Sequence, residues 1–347
     1  MNELVRFEGA CGPQRVPKLE KPFKLTICVN QSCGMDCKLC YADCGSSKRP
    51  ELTAEQWKAF IDQLVAEEFL HIFFEGGEPF QRPDFEDILA HCNRRLYVAI
   101  RTHATMIDRA RAERLKKLGV GRLYVDLFAA VPEVQDELTG QPGSYGAAID
   151  GIRNARAAGI KVTVLGILSR KNHEHLQRYL DLAVELGCDQ VGILRLYPLG
   201  RAKRNWDELS LSLDEMMRAL HGLKVPPGVQ LMQSWHPRDG NCCWQNAAVS
   251  PQGDSIGCPY LREYVNYGSI LDTPFVETWN HPLYQELRSN AVEKACPECS
   301  ATQGTFGGCR ATAYAFHGRW TAPDPYCVHN NEGVDLRALP QRLLREE

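Results

Sequence analysis

The chain has 347 residues, enough for a full hydrophobic core and for more than one domain. Forty basic and 43 acidic side chains leave a net charge of −3, which argues against a polyanion-binding surface and so against nucleic acid as a partner. The N-terminus MNELVRFEGACG lacks the layout of an export signal, and no apolar run reaches membrane-spanning length, so a cytoplasmic chain without a membrane partner is expected. Its fifteen cysteines then point to metal ligation rather than disulfides.

The first element in chain order is a strand over 24–29, built on Leu25-Thr26-Ile27-Cys28-Val29. Directly after it comes NQSCGMDCKLCYADCG, with Cys33, Cys37 and Cys40 spaced C-x3-C-x2-C. Three thiolates so close together can hold three irons of a cubane iron–sulfur cluster and leave the fourth iron open for a small molecule. Thiolates select zinc as readily, and Cys44 offers a fourth ligand, although structural zinc sites favour paired C-x2-C spacings. A helix follows, with Thr53 and Gln56 in capping-box spacing. The next strand, 70–75, ends in Gly76-Gly77-Glu78-Pro79. Two glycines allow positive φ and close approach to a ligand. Glu78 then places a carboxylate at the C-terminal end of a strand, where ligands gather in α/β folds. An ordinary strand-ending turn would have the same sequence.

Further strands are expected at 96–101, 122–127, 161–167 and 190–196, with helices between them. Asp84 and Asp108 read as helix N-caps, Leu118-Gly119, Ala158-Gly159 and Leu186-Gly187 as helix stops, and Ser144 as the cap of a loop that leads into a helix. Six strands alternating with helices imply a parallel sheet with right-handed crossovers. The composition changes near Val225-Pro226-Pro227-Gly228, and seven of the fifteen cysteines fall between Cys242 and Cys327. The expected division is an extension over 1–21, a core over 22–225, a cysteine-rich unit over 226–335 and a charged tail over 336–347.

Together the cysteine triad and the GGEP segment resemble the radical S-adenosylmethionine (radical SAM) superfamily. The resemblance implies a partial (β/α)6 TIM-like barrel with its site at the C-terminal strand ends. It makes Cys33, Cys37 and Cys40 the ligands of a 4Fe–4S cluster whose open iron chelates the methionine part of SAM. Gly76, Gly77, Glu78 and Pro79 then line the SAM site, and Tyr41 lies against the adenine. Arg101-Thr102-His103-Ala104-Thr105 stands where many relatives carry Thr-Asn-Gly-Thr, and Thr102 is the cofactor-site candidate in it. Asp126 stands where many have the serine that reaches the ribose, and its charge serves either the ribose or the substrate. Arg195 and Arg201 are candidates for a carboxylate of substrate or SAM, or are surface arginines.

Cys243, Gly253 and Cys258, followed by Cys296, Cys299, Cys309 and Cys327, resemble the SPASM domain, a small cysteine-rich unit that binds auxiliary iron–sulfur clusters. Zinc is the other reading of such thiols. One departure stands out, because Thr305 occupies the place of a family cysteine. The inner auxiliary cluster is assigned Cys243, Cys258 and Cys309, with Cys242 as a fourth ligand. The outer one has Cys296, Cys299 and Cys327, and either recruits Asp324 or His329, keeps an open iron, or is absent. One or two auxiliary clusters are therefore expected. Cys11, Cys28, Cys44, Cys92 and Cys188 read as small buried residues, with Cys188 also a candidate hydrogen-atom donor.

The resemblance implies reductive cleavage of SAM to a 5′-deoxyadenosyl radical that abstracts hydrogen from a natural-product substrate, with a flavodoxin or ferredoxin as reductant. The substrate is a short peptide or a small molecule such as a sugar, nucleoside or tetrapyrrole intermediate. The residues before position 24 are too few for a leader-binding domain, so peptide recognition would call for a separate partner. An electron-transfer protein without SAM chemistry and a glycyl-radical activase are the alternatives.

Overall fold

A computed structural model describes residues 19–22, 24–45, 49–234, 243, 245–289, 292–293 and 308–344. All six expected strands form: β1 (Lys24–Cys28), β2 (His71–Glu75), β3 (Tyr97–Thr102), β4 (Val120–Asp126), β5 (Lys161–Ile167) and β6 (Gln190–Leu194). Two short strands, β7 (Gln230–Gln233) and β8 (Asn246–Val249), extend the sheet at its two edges. The order is β7-β6-β5-β4-β3-β2-β1-β8, and every neighbouring pair is parallel. The fold is the expected α/β parallel sheet, its six strands joined by one more at each edge to make eight. Both added strands come from beyond position 225, so the later part of the chain adds to the same sheet.

Helices cross over between successive strands. They are α1 (Ala54–Ala66), α2 (Phe85–Cys92), α3 (Arg109–Lys117), α4 (Pro132–Thr139), α5 (Ser144–Ala157) and α6 (Leu176–Glu185). Before β7 come α7 (Gly200–Arg204), α8 (Trp206–Leu209) and α9 (Leu213–Leu220). α1 shows how the sequence specifies such an element. The Thr53 hydroxyl accepts from Gln56 N, and Gln56 Oε1 accepts from Thr53 N. Trp57, Ile61 and Leu64, at helical spacing, are all fully buried. Each such side chain contributes about 1.5–3 kcal/mol on burial.

Asp108 caps α3 as expected, but the Asp84 carboxylate takes Arg82 instead of the first turn of α2. Ser144 is the first residue of α5 and not a cap. Asp136 does that work across the α4–α5 turn, accepting from Gly143 N, Tyr145 N and Ser144 Oγ at 2.6–2.9 Å. Parallel strands buried on both faces leave one place for polar chemistry, the C-terminal strand ends.

Candidate active site

The loop after β1 hangs on the helices beside it. Asp36 N donates to Thr139 O at 3.0 Å and Lys38 N to Leu138 O at 2.9 Å. This brings Cys33, Cys37 and Cys40 to the wall of one cavity, which Gly76, Gly77, Glu75, Arg101 and Asp126 also line from the ends of β2, β3 and β4. Burial pushes the Cys33 thiol up to about 11 and the Cys37 thiol well above its ordinary value. Cys40 is held down at about 5, chiefly by the hydrogen bond it shares with the Cys44 thiol 3.8 Å away. Two of the three thiols thus resist ionisation until a metal supplies positive charge, which suits a buried cluster site. Among the described residues no three His, Cys, Asp or Glu side chains converge tightly enough for a single ion. Thiolates on separate irons of a cubane have no need to.

The GGEP segment divides its labour. Gly76 and Gly77 line the cavity, yet neither has positive φ. What their missing side chains admit is the neighbouring loop. A Cβ on Gly76 would lie 2.4 Å from Asn30 Oδ1, and one on Gly77 2.1 Å from Ser32 O. Glu78 is fully buried, and its carboxylate accepts from Thr102 Oγ1 at 2.8 Å, His103 N at 2.9 Å and Phe80 N at 3.2 Å and lies 3.2 Å from His103 Nε2. Pro79 and Thr102 are buried with it. Gly76, Gly77 and His103 line the cavity, and the buried Glu78 carboxylate is held next to them by Thr102 and the His103 backbone.

Tyr41 lines the cavity with its hydroxyl on Glu75 Oε1 at 2.7 Å. Its ring meets Tyr260 edge-on, centroids 4.8 Å apart, and the Arg101 and Arg262 guanidinium groups lie over it at 5.6 and 5.2 Å. Tyr260 stacks in turn on Tyr197 at 3.7 Å. Arg101 forks onto both oxygens of Asp126 at 2.8–3.0 Å, so Asp126 faces the cavity already paired. Glu75, Arg101, Tyr260 and Arg262 were not singled out from the sequence. Glu75 and Arg101 were legible there, because each sits next to a motif residue and at the C-terminal end of a buried strand.

Tyr260 and Arg262 follow Cys258, which joins this wall to the later cysteines. Burial, and then the nearby Cys243 and Cys309, hold the Cys258 thiol well above its ordinary value. Those three are neighbours. Cys327 is buried, whereas Cys242, Cys296, Cys299 and Thr305 lie outside the described residues, as does Cys11. Asp324, a candidate stand-in ligand, is fully buried and accepts from Arg195 Nη1 at 2.6 Å, Cys309 N at 2.8 Å, Thr312 Oγ1 at 3.0 Å and Tyr326 N at 3.1 Å. Asp324 and Arg195 thus form a fully buried ion pair next to Cys309. Arg201 does line the cavity, but it donates to the carbonyls of Cys37 and Cys44. Cys188 is buried at the start of β6, the end of the sheet away from the cavity, which removes it as a hydrogen-atom donor there. Cys28, at the correct end of β1, donates to Glu75 at 3.5 Å.

The Radical SAM superfamily model matches residues 27–183, and the SPASM iron–sulfur cluster-binding domain model matches residues 242–300. The mycofactocin maturase MftC of Mycobacterium tuberculosis is 28% identical over 93% of this chain and 88% of its own. The AdoMet-dependent heme synthase of Methanosarcina barkeri is 26% identical over 87% and 95%. The PqqA peptide cyclase of Streptomyces rochei is 27% identical over 90% of each chain. Among solved structures, SuiB of Streptococcus suis bound to S-adenosylmethionine shares the fold with a TM-score of 0.73 at 17% identity, over 89% of this chain and 78% of that one. Motifs, cavity and matches converge, and the chain belongs to the radical SAM superfamily as an enzyme with a C-terminal SPASM domain.

Proposed function

We propose that this enzyme matures a peptide by taking a hydrogen atom from it, so that the resulting radical is cross-linked, oxidised or epimerised. The observation that carries the reading is the convergence of Cys33, Cys37 and Cys40 on the one cavity that Gly76 and Gly77 line. Those three thiolates would hold a 4Fe–4S cluster, which when bound and reduced would supply the electron for cleavage of SAM to methionine and a 5′-deoxyadenosyl radical. The protein's part is to hold, orient and exclude water. Gly76 and Gly77 form the wall toward the methionine end, and Tyr41, fixed by Glu75, forms the wall toward the adenine. Asp126 serves the ribose hydroxyls as a pair with Arg101. Glu78, held by Thr102, and the buried Pro79 stand next to that wall.

Cys243, Cys258 and Cys309 are the proposed ligands of the inner auxiliary cluster, with Cys242 as the fourth. Cys296, Cys299 and Cys327 are those of an outer one. A flavodoxin or ferredoxin is the proposed reductant, the cytoplasm the proposed compartment, and a separate peptide-binding partner the proposed route of recognition. No helix among the described residues is long and apolar enough to cross a membrane. A peptide substrate is supported by the match to a PqqA peptide cyclase. A small molecule is the second reading, favoured by the match to a heme synthase.

The test is anaerobic reconstitution, reduction with dithionite, addition of SAM and quantification of 5′-deoxyadenosine against Cys33→Ala. Product only in the parent is expected; equal product in both would remove the reading. Deuterium passed to 5′-deoxyadenosine from a perdeuterated candidate peptide supports peptide maturation. Transfer from a small molecule and from no peptide overturns that part.

A further inference from the structure

We infer that Arg201 is a positioning residue that clamps the cysteine loop at Cys37 and Cys44 and raises the reduction potential of the cluster bound there. This rests on the reading of Cys33, Cys37 and Cys40 as cluster ligands. Arg201 Nε donates to Cys37 O at 3.1 Å and Nη1 to Cys44 O at 3.2 Å, so one planar fork spans the loop. The same stretch holds two more carbonyls. Ala202 N donates to Cys40 O at 3.3 Å and Asn205 Nδ2 to Lys38 O at 3.4 Å.

Gly200 makes the approach achievable. Its φ is 51°, and a Cβ there would lie 2.8 Å from Cys40 O and 2.9 Å from Tyr41 O. Only glycine lets the helix start against this loop. The sequence around it, Pro198-Leu199-Gly200-Arg201-Ala202, is therefore shaped to receive the cysteine loop rather than a substrate carboxylate.

The charge matters as well as the fork. The Arg201 side chain is 13% exposed, and it lines the cavity together with all three cysteines. A cation so little exposed is weakly screened, and it favours the more negative, reduced form of a cluster. Asp36 and Asp43 lie 3.2 and 3.5 Å from the guanidinium. Asp43 keeps its fork from Arg204 and Asp36 is largely exposed, so what Arg201→Gln removes at the loop is chiefly the cation's own charge.

The experiment is an EPR-monitored redox titration of the reconstituted full chain and of Arg201→Gln and Arg201→Lys, with iron content determined for each. The relevant signal is the one that added SAM perturbs. In Arg201→Gln, at parental iron content, the ratio of reduced to oxidised cluster at fixed potential should fall at least tenfold, which is about 59 mV for one electron. Arg201→Lys keeps the charge and should stay within that interval. Hydrogen exchange over residues 36–45 of the metal-free protein should quicken in both variants, since neither side chain has the two separate donor nitrogens that Nε and Nη1 supply.

A parental potential in Arg201→Gln overturns the electrostatic role, and parental exchange in both variants overturns the clamp. If Arg201→Gln retains no iron, Arg201→Lys decides: a parental potential with faster exchange supports the proposal, and a lowered potential refutes the charge effect. Failure of the cluster assignment itself is distinguishable, because the parent would then show no SAM-perturbed signal at all.

Discussion

Cys33, Cys37 and Cys40 share one short loop whose carbonyls are tied to α7, whereas Cys243, Cys258 and Cys309 are neighbours that come together from far apart in the sequence. The first set is positioned by many modest hydrogen bonds at the protein surface of a cavity. The second depends on a fully buried ion pair, Arg195 to Asp324, whose carboxylate also fixes the backbone N of Cys309. Redundant bonds make a holder that weakens gradually. A single buried charge pair makes one that fails abruptly, because either partner alone is a desolvated charge.

That contrast can be broken at its strongest point. Asp324→Asn and Arg195→Met should each destabilise the chain by about 3–5 kcal/mol, while Arg195→Met/Asp324→Asn, which removes both charges and keeps an acceptor for Cys309 N or Tyr326 N, should lose less than the two single losses added together. Urea denaturation of the three variants measures this directly. Asp324→Asn should also lower iron content at the later cysteines while the SAM-perturbed EPR signal persists. Loss of both signals together would mean that the two regions do not fold separably, and the comparison would collapse.

Tyr41 and Tyr260 join the regions, one next to Cys40 and the other two residues after Cys258. Tyr41→Phe keeps the ring contact and removes only the 2.7 Å bond to Glu75. A hydrogen bond to a charged group contributes about 1.5–3 kcal/mol, so the midpoint of denaturation should fall by that equivalent with iron content unchanged. A larger loss, with iron released, would show that the joint carries load for the cysteine loop itself.

Much of this was legible in the sequence, for physical reasons. The triad was readable because its ligands are local, and the six principal strands because strands buried on both faces are short runs rich in apolar and β-branched residues, such as 162–167. β7 and β8 were not, since Gln230–Gln233 and Asn246–Val249 are four-residue strands with little apolar pattern. The roles of Asp324, Arg195 and Arg201 were hidden for a different reason. A charged residue's partner is a tertiary fact, and neither spacing nor composition says whether an arginine meets solvent, substrate or a carboxylate on a distant segment. Glu78 shows the same limit within a recognised motif. Its position was clear, but not that its carboxylate turns inward to Thr102.

The smallest expected effect sharpens the account of the loop. Arg204 forks onto Asp43 at 2.6 and 2.9 Å, just outside the Arg201 clamp, with side chains 55% and 24% exposed. Its geometry is as good as that of the buried Arg195–Asp324 pair, but water screens it. The hydrogen bond from Arg204 holds the Asp43 carboxyl below its usual range. A lowered carboxyl contributes stability that is present above its unfolded value and lost as pH falls through the folded one, so any contribution is present at neutral pH and fades in acid. Exposed pairs contribute about 0–1 kcal/mol, and Arg204→Ala should stay within that range in denaturation at neutral pH, with the difference from the parent vanishing in acid. A loss as large as that of Asp324→Asn would mean that the loop, too, hangs on one charge pair.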